Sequence, residues 1–279
     1  MAFVQRRTWL ASLAAAAAAA AAACTGSGVG LDANGNPTTP GGGGGEPLTP
    51  DFQSIQDNVF TPICTKCHIG AGAPEGLQLD AAHSYALLVG VPSTEQPNVL
   101  RIKAGDPDNS YLVQKIEGAS SISGVRMPFG GPYLPQSTID VIRTWVTNGA
   151  LPSSTAARAV TQHHTSFAVE VTAPGEGMVL PAALPAIVVA FNHEIDVSLV
   201  NYTNVALEKT DTVPAAPLPV ATALASGNAR VMLITPRVPL AAGSYRVTLR
   251  GSGGAALADI NAETLGVDYS LNFVVDSSR

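Results

Sequence analysis

Between residues 51 and 152, apolar side chains recur at helical intervals. Phe52, Ile55, Val59 and Ile63 lie three or four residues apart, so they line one face of a helix that runs directly into Cys64-Thr-Lys-Cys67-His68. A second short helix is predicted over 81–89. Asp106-Pro107 has the form of a helix start, with Asp as N-cap and Pro in the first turn. Tyr111, Leu112, Lys115 and Ile116 follow it, and Gly118 is the stop. Ser137 with Asp140 three residues on has the spacing of a capping box. Behind it Ile139, Ile142, Trp145 and Val146 share a face, and Asn148-Gly149 ends the run. This pattern predicts an all-α domain over 51–152.

Past Pro152 the period changes. Residues 153–166 form a polar link. Then come Phe167 to Val171, Ala186 to Phe191, Val205 to Leu207, Val231 to Ile234, Ser244 to Leu249 and Ser270 to Val275. These runs are short, rich in β-branched residues and often alternating, and Gly, Pro, Asn and Asp separate them. They predict an all-β sandwich over 167–279. The fold class expected is therefore multidomain, all-α followed by all-β.

The first fifty residues carry neither pattern. Arg6-Arg7 precede an apolar run from Trp9 to Ala23, the arrangement of an export signal over 1–23. That run is shorter than the ~20 residues a membrane span needs. Residues 24–50, with Gly41 to Gly45 at their centre, read as a flexible Gly/Pro-rich tether. The signal ends Ala21-Ala22-Ala23-Cys24, which resembles the lipobox of bacterial lipoproteins, with Ala21 where Leu is usual. That resemblance implies acylation of Cys24 and attachment to a membrane through the N-terminal lipid. Ordinary cleavage after an Ala-x-Ala site and a twin-arginine route through Arg6-Arg7 stay open. Thr25 is not the Asp of a retention signal, which points to the outer membrane, on its periplasmic or cell-surface side.

Charge and cysteine usage narrow the chemistry. A net charge of −6, from 15 basic and 21 acidic residues, argues against a nucleic-acid partner. Of the three cysteines, Cys24 belongs to the leader junction, and Cys64 and Cys67 form one motif. No structural disulfide framework is left, so each domain must stand on its own core.

On a helix, positions i, i+3 and i+4 share a face, so Cys64, Cys67 and His68 project together. Two thiols can then add to the vinyl groups of a haem while the imidazole reaches the iron, and the motif reads as covalent attachment of one haem c. A structural zinc clip would want four ligands, and no second cysteine pair exists. A redox dithiol would expect a βαβ setting. Met127, in Val-Arg-Met-Pro-Phe-Gly-Gly, is the candidate sixth iron ligand, with His83 as its rival. His163, His164 and His193 read as surface residues. Asp196, Asp259 and Asp268 read as turn formers before they read as a calcium site.

Residues 51–152 resemble a monohaem cytochrome c domain. The stretches that carry this are Cys64-Thr-Lys-Cys67-His68, Gly105-Asp-Pro-Asp-Asn-Ser-Tyr-Leu-Val, Arg126-Met127-Pro128 and Ile142-Arg-Thr-Trp-Val-Thr-Asn-Gly-Ala150. The resemblance implies a small helical bundle, His68 as proximal and Met127 as distal iron ligand. The later region is similar to bacterial Ig-like domains of surface-layer and cell-envelope proteins, through Leu184 to Asp196, Leu240 to Val247 and Asp259. That implies a spacer or docking module without catalytic residues.

Together these readings predict an exported, lipid-anchored electron-transfer protein that is not an enzyme. Its redox partner would present a basic patch, because the haem domain holds nine acids against six bases. Two alternatives stand beside it. One is a cell-envelope interaction protein in which the Ig-like domain is the main functional part and the haem is accessory. The other is a peroxide-reducing enzyme, which would need an open position on the iron.

Overall fold

A computed structural model describes residues 48–70, 72–153, 166–180 and 184–276. The export signal, Cys24, the tether up to residue 47 and most of the 153–166 link lie outside the described residues.

The first region, 48–153, begins with α1 (Phe52–Ile55), a π-helical turn (Gln56–Phe60) and α2 (Thr61–Ile63), which tightens into a 3₁₀ turn at Cys64–Lys66. Asp51 caps α1, its Oδ1 accepting from Gln53 N at 2.8 Å. The same oxygen accepts from Ser153 Oγ at 3.1 Å, which ties the two ends of the region together. Three further helices follow: α3 (Ser84–Leu88), α4 (Tyr111–Glu117) and α5 (Gln136–Thr147). Their apolar faces meet in a core of Ile55, Val59, Phe60, Leu88, Ile102, Val113, Ile139, Ile142 and Trp145. Phe52 packs on Trp145 at 5.5 Å and edge-on to Tyr85 at 5.0 Å, arrangements that add to the area buried.

Here the expected all-α cytochrome c bundle is corrected. The longest helix has 12 residues and the others three to seven, while isolated bridges Val89–Ile102 and Pro92–Leu100 pin the loops between them. The reason is local. Gly and Pro interrupt the stretch from Gly70 to Pro135 often, and the helices within it, α3 and α4, run only five and seven residues. The chain is mostly β with a few short helices.

The second region carries nine strands in two sheets. One sheet is β1 (Val169–Ala173), β3 (Ile187–Phe191), β7 (Asn228–Pro236) and β6 (Val220–Ala225), all antiparallel, in that order. The other runs β2 (Met178–Leu180), β9 (Tyr269–Val275), β8 (Gly243–Leu249), β4 (Val205–Lys209) and β5 (Ala216–Leu218), with only the β2–β9 pair parallel. Between them lie Phe167, Ile187, Val189, Phe191, Met232, Ile234, Val247, Leu249, Leu271 and Phe273. Phe167 stacks on Phe191 at 5.1 Å and Tyr245 on Phe273 at 5.5 Å. Each such side chain removed from water contributes about 1.5–3 kcal/mol.

All five residues of β3 are buried, against the alternation of a sheet with one wet face. Ile187, Val189 and Phe191 point into the sandwich. Val188 and Ala190 point out of it, into a seam with Leu87, Val91, Val171, Ala225 and Val231. Leu87 and Val91 belong to the first region, which thus covers the outer face of the β1-β3-β7-β6 sheet. Contact there is backbone to backbone: Gly90 has φ +74°, and a Cβ on it would stand 2.3 Å from Ser226 O.

Candidate functional site

The Cys64 carbonyl accepts from both Cys67 N (3.2 Å) and His68 N (2.9 Å), so the whole motif is wound into one tight turn at the end of α2. Cys64 and Cys67 are both thiols. Cys64 packs against the core of the first region, and burial pushes its thiol up to about 12, with Cys67 adding to the effect. Burial thus holds the proton on Cys64, and both thiol–disulfide exchange and metal binding there require its loss.

The His68 ring is held from the next loop. Its Nδ1 lies 2.9 Å from Leu77 O, which assigns the proton to Nδ1 and leaves Nε2 with its lone pair. Burial lowers the His68 pKa below its ordinary value. The Leu77 bond opposes this, and the charges of Arg101 and Lys115 reinforce it. The loop that supplies Leu77 is stiff. Pro74–Gly76 forms a 3₁₀ turn with Glu75 at φ +57°, a conformation uncommon outside glycine. The buried Arg101 guanidinium clamps it, donating to Glu75 O at 2.6 Å and to Leu87 O at 2.9 Å. Arg101 is only 5% exposed, and burial pulls its pKa down to about 10, so it stays charged at neutral pH.

Met127 is half-buried and packs against the same core as Cys64. Its N–H donates to Lys115 O at 2.9 Å, and Lys115 Nζ is paired with Glu95 at 2.9 Å. His83 is occupied locally, with Nδ1 2.5 Å from Asp80 Oδ1 beside the start of α3. His163 and His164 lie outside the described residues.

A grouping that the sequence did not suggest stands at one end of the sandwich. His193, Asp259 and Glu263 bring their ligand atoms within 4.8 Å of one another, which the donor atoms of Cys64, Cys67 and His68 do not do. Sixty-six residues separate His193 from Asp259, and backbone bonds such as Asp196 N to Ala258 O and Ile260 N to Glu194 O bring their segments together, so no local signal marks the group. Asp259 is already well supplied. Oδ1 accepts from Asn261 N (2.8 Å) and Glu263 N (2.9 Å), and Oδ2 from His193 Nδ1 (3.0 Å) and Asn261 Nδ2 (3.4 Å). Asp196 accepts from Ser198 N at 2.9 Å in its own turn, while Asp268 accepts from the distant Gly251 N at 2.9 Å.

No family model and no curated protein matches the sequence. Solved structures do match. The chain is similar to PcoC, a methionine-rich copper resistance protein from Escherichia coli, at 21% identity and TM-score 0.33, over 40% of this chain and 100% of that one. CopC from Methylosinus trichosporium matches at 14% identity and TM-score 0.32, over 39% of this chain and 93% of that one. The surface-layer protein SbsC matches at 14% and 0.31, over 50% of this chain and 19% of that one.

These findings correct the functional expectation. The structures named are copper-resistance and surface-layer proteins, and none is a cytochrome. The first region is not the helical bundle that the cytochrome resemblance implied. The reading of 51–152 as a monohaem cytochrome c domain is withdrawn. With it go the haem c on Cys64 and Cys67, the His68/Met127 iron ligation and the one-electron carrier.

Proposed function

We propose that this chain is a cell-envelope protein, not an enzyme, that binds a soft transition-metal ion at Cys64, Cys67 and His68, whose donor atoms must draw together to meet on one ion. The observation that carries this reading is the neutral His68 ring, fixed through Nδ1 by Leu77 O in the same turn as two thiols. Metal-ligating histidines characteristically give their other ring N–H to a backbone carbonyl in this way. Two thiols and an imidazole are a donor set suited to Cu(I). The chain is an exported one, as Arg6-Arg7 and the apolar run to Ala23 indicate. Acylation at Cys24 would hold it to the outer membrane, and no nucleic-acid partner is expected of its acidic balance.

The test is anaerobic titration of the protein with Cu(I) against a chromophoric chelator. Wild type should take one equivalent, and Cys64→Ser with Cys67→Ser should weaken binding at least a hundredfold. Unchanged binding in that double variant would sink the reading. Loss in His193→Ala instead would move the metal to the His193, Asp259, Glu263 group, whose close spacing favours it as the second reading.

A further inference from the structure

The seam between the two regions is not closed along its whole length. Beside the buried contacts of Leu87 and Val91 it opens into a cavity of about 300 Å³. Val91 and Arg101 line it from the first region, and Met178, Leu184 and Val188 from the second. That volume is at the lower end of small-molecule sites, and the boundary between two domains is where such sites commonly lie.

The wall is mostly apolar, with Glu75, Gln78, Thr94 and Thr172 among its polar residues and one buried charge, Arg101. Arg101 is nine-tenths buried, and the Leu87 and Glu75 carbonyls take two of the five N–H hydrogens of its guanidinium. No ion pair among the described residues involves Arg101. The acid on the lining is Glu75, an exposed residue whose Oε2 accepts from Thr94 Oγ1 at 2.6 Å. A buried cation without a contact anion is costly, and a carboxylate is the partner whose planar geometry matches a guanidinium.

We propose that this inter-domain cavity binds a small carboxylate with an apolar body, its head on the Arg101 guanidinium and its body against Val91, Met178, Leu184 and Val188. The site borders the loop that holds His68, through Glu75 and Arg101, but does not depend on a metal there. Acetate is too small to fill the apolar part, and an alcohol of the same shape lacks the charge.

The experiment is calorimetric titration of the mature chain with 4-methylpentanoate, 4-methylpentanol and acetate. Saturable binding of the branched acid is expected, with the alcohol and acetate each at least tenfold weaker. Leu184→Trp fills the cavity from a half-buried position and should abolish binding of the acid without lowering the thermal transition. The ligand series decides the matter even if that variant folds poorly. Equal affinity for acid and alcohol, no binding of the acid, or undiminished binding by folded Leu184→Trp would each overturn the proposal.

Discussion

The two regions solve the same problem with different materials. The sandwich buries apolar ladders: of the eleven buried polar or charged side chains among the described residues, only Asn204, Asn228 and Asp259 belong to it. The other eight, Arg101 and Lys115 among them, lie in the first region. There, short helices and Gly/Pro loops leave carbonyls that no ladder satisfies, and side chains reach in to meet them. Gln56 Nε2 donates to Leu79 O (2.9 Å), Trp145 Nε1 to Leu151 O (2.9 Å) and Arg126 Nε to Ile116 O (2.9 Å). A region built this way is held by particular hydrogen bonds, whereas the sandwich is held by area.

That contrast can be broken most directly by two substitutions. Phe191→Ala, in the sandwich, should cost about 3–5 kcal/mol through lost burial and the cavity left behind. Arg101→Leu keeps bulk but strands the Leu87 and Glu75 carbonyls, and should cost the first region about 3 kcal/mol. Urea unfolding measures both. An Arg101→Leu variant as stable as wild type would show that area alone holds the first region too.

A smaller effect sharpens the comparison from the other side. Burial pushes the Asp259 carboxyl up, but the N–H groups of Glu263 and Asn261, with His193, outweigh it and leave its pKa below the ordinary value. A carboxylate depressed in the folded state stabilises above its unfolded pKa, and that contribution is lost as pH falls through the folded one. The sandwich should therefore weaken below about pH 4, and Asp259→Asn should flatten that limb of a stability–pH curve. An unchanged limb would mean that the turn does without the charge. Smallest is the cap: Asp51→Ala should cost about 1 kcal/mol, read as an earlier urea midpoint for the first region, and no change would make the Ser153 tie dispensable.

Much of the element pattern was legible. The face of Ile139, Ile142, Trp145 and Val146 lies inward on α5, and the runs at 187–191, 205–209, 243–249 and 269–275 are strands. Boundaries failed where a local rule met a stronger one. Ser137 and Asp140 form no capping box, because α5 starts two residues earlier, with Pro135 in the N-cap position, and Asp140 accepts instead from Gln136 Nε2 at 2.9 Å. Asp106 closes a turn onto Asn109 while α4 waits for Tyr111. β2, β5 and β6 were missed, being short or too rich in Ala, Pro and Thr to alternate clearly. The motif at 64–68 was plain in sequence, yet the loop that fixes His68 depends on Arg101, thirty-three residues on, and no spacing announces that. The His193–Asp259 contact and the inter-domain cavity arise only from topology.

The backbone contact between Gly90 and Ser226 has a mechanical consequence. The joint has two parts: side chains such as Leu87, Val91, Val188 and Val231, which can change rotamer, and at Gly90 a meeting of main chain with main chain, which has no such play. From Gly90 the path to the site is short: Val91 O holds Arg101 N at 2.7 Å, Arg101 holds the Glu75 turn, and that turn presents Leu77 to His68. A load on the sandwich at Ser226 thus has a continuous route of contacts, covalent bonds and hydrogen bonds that ends on the imidazole.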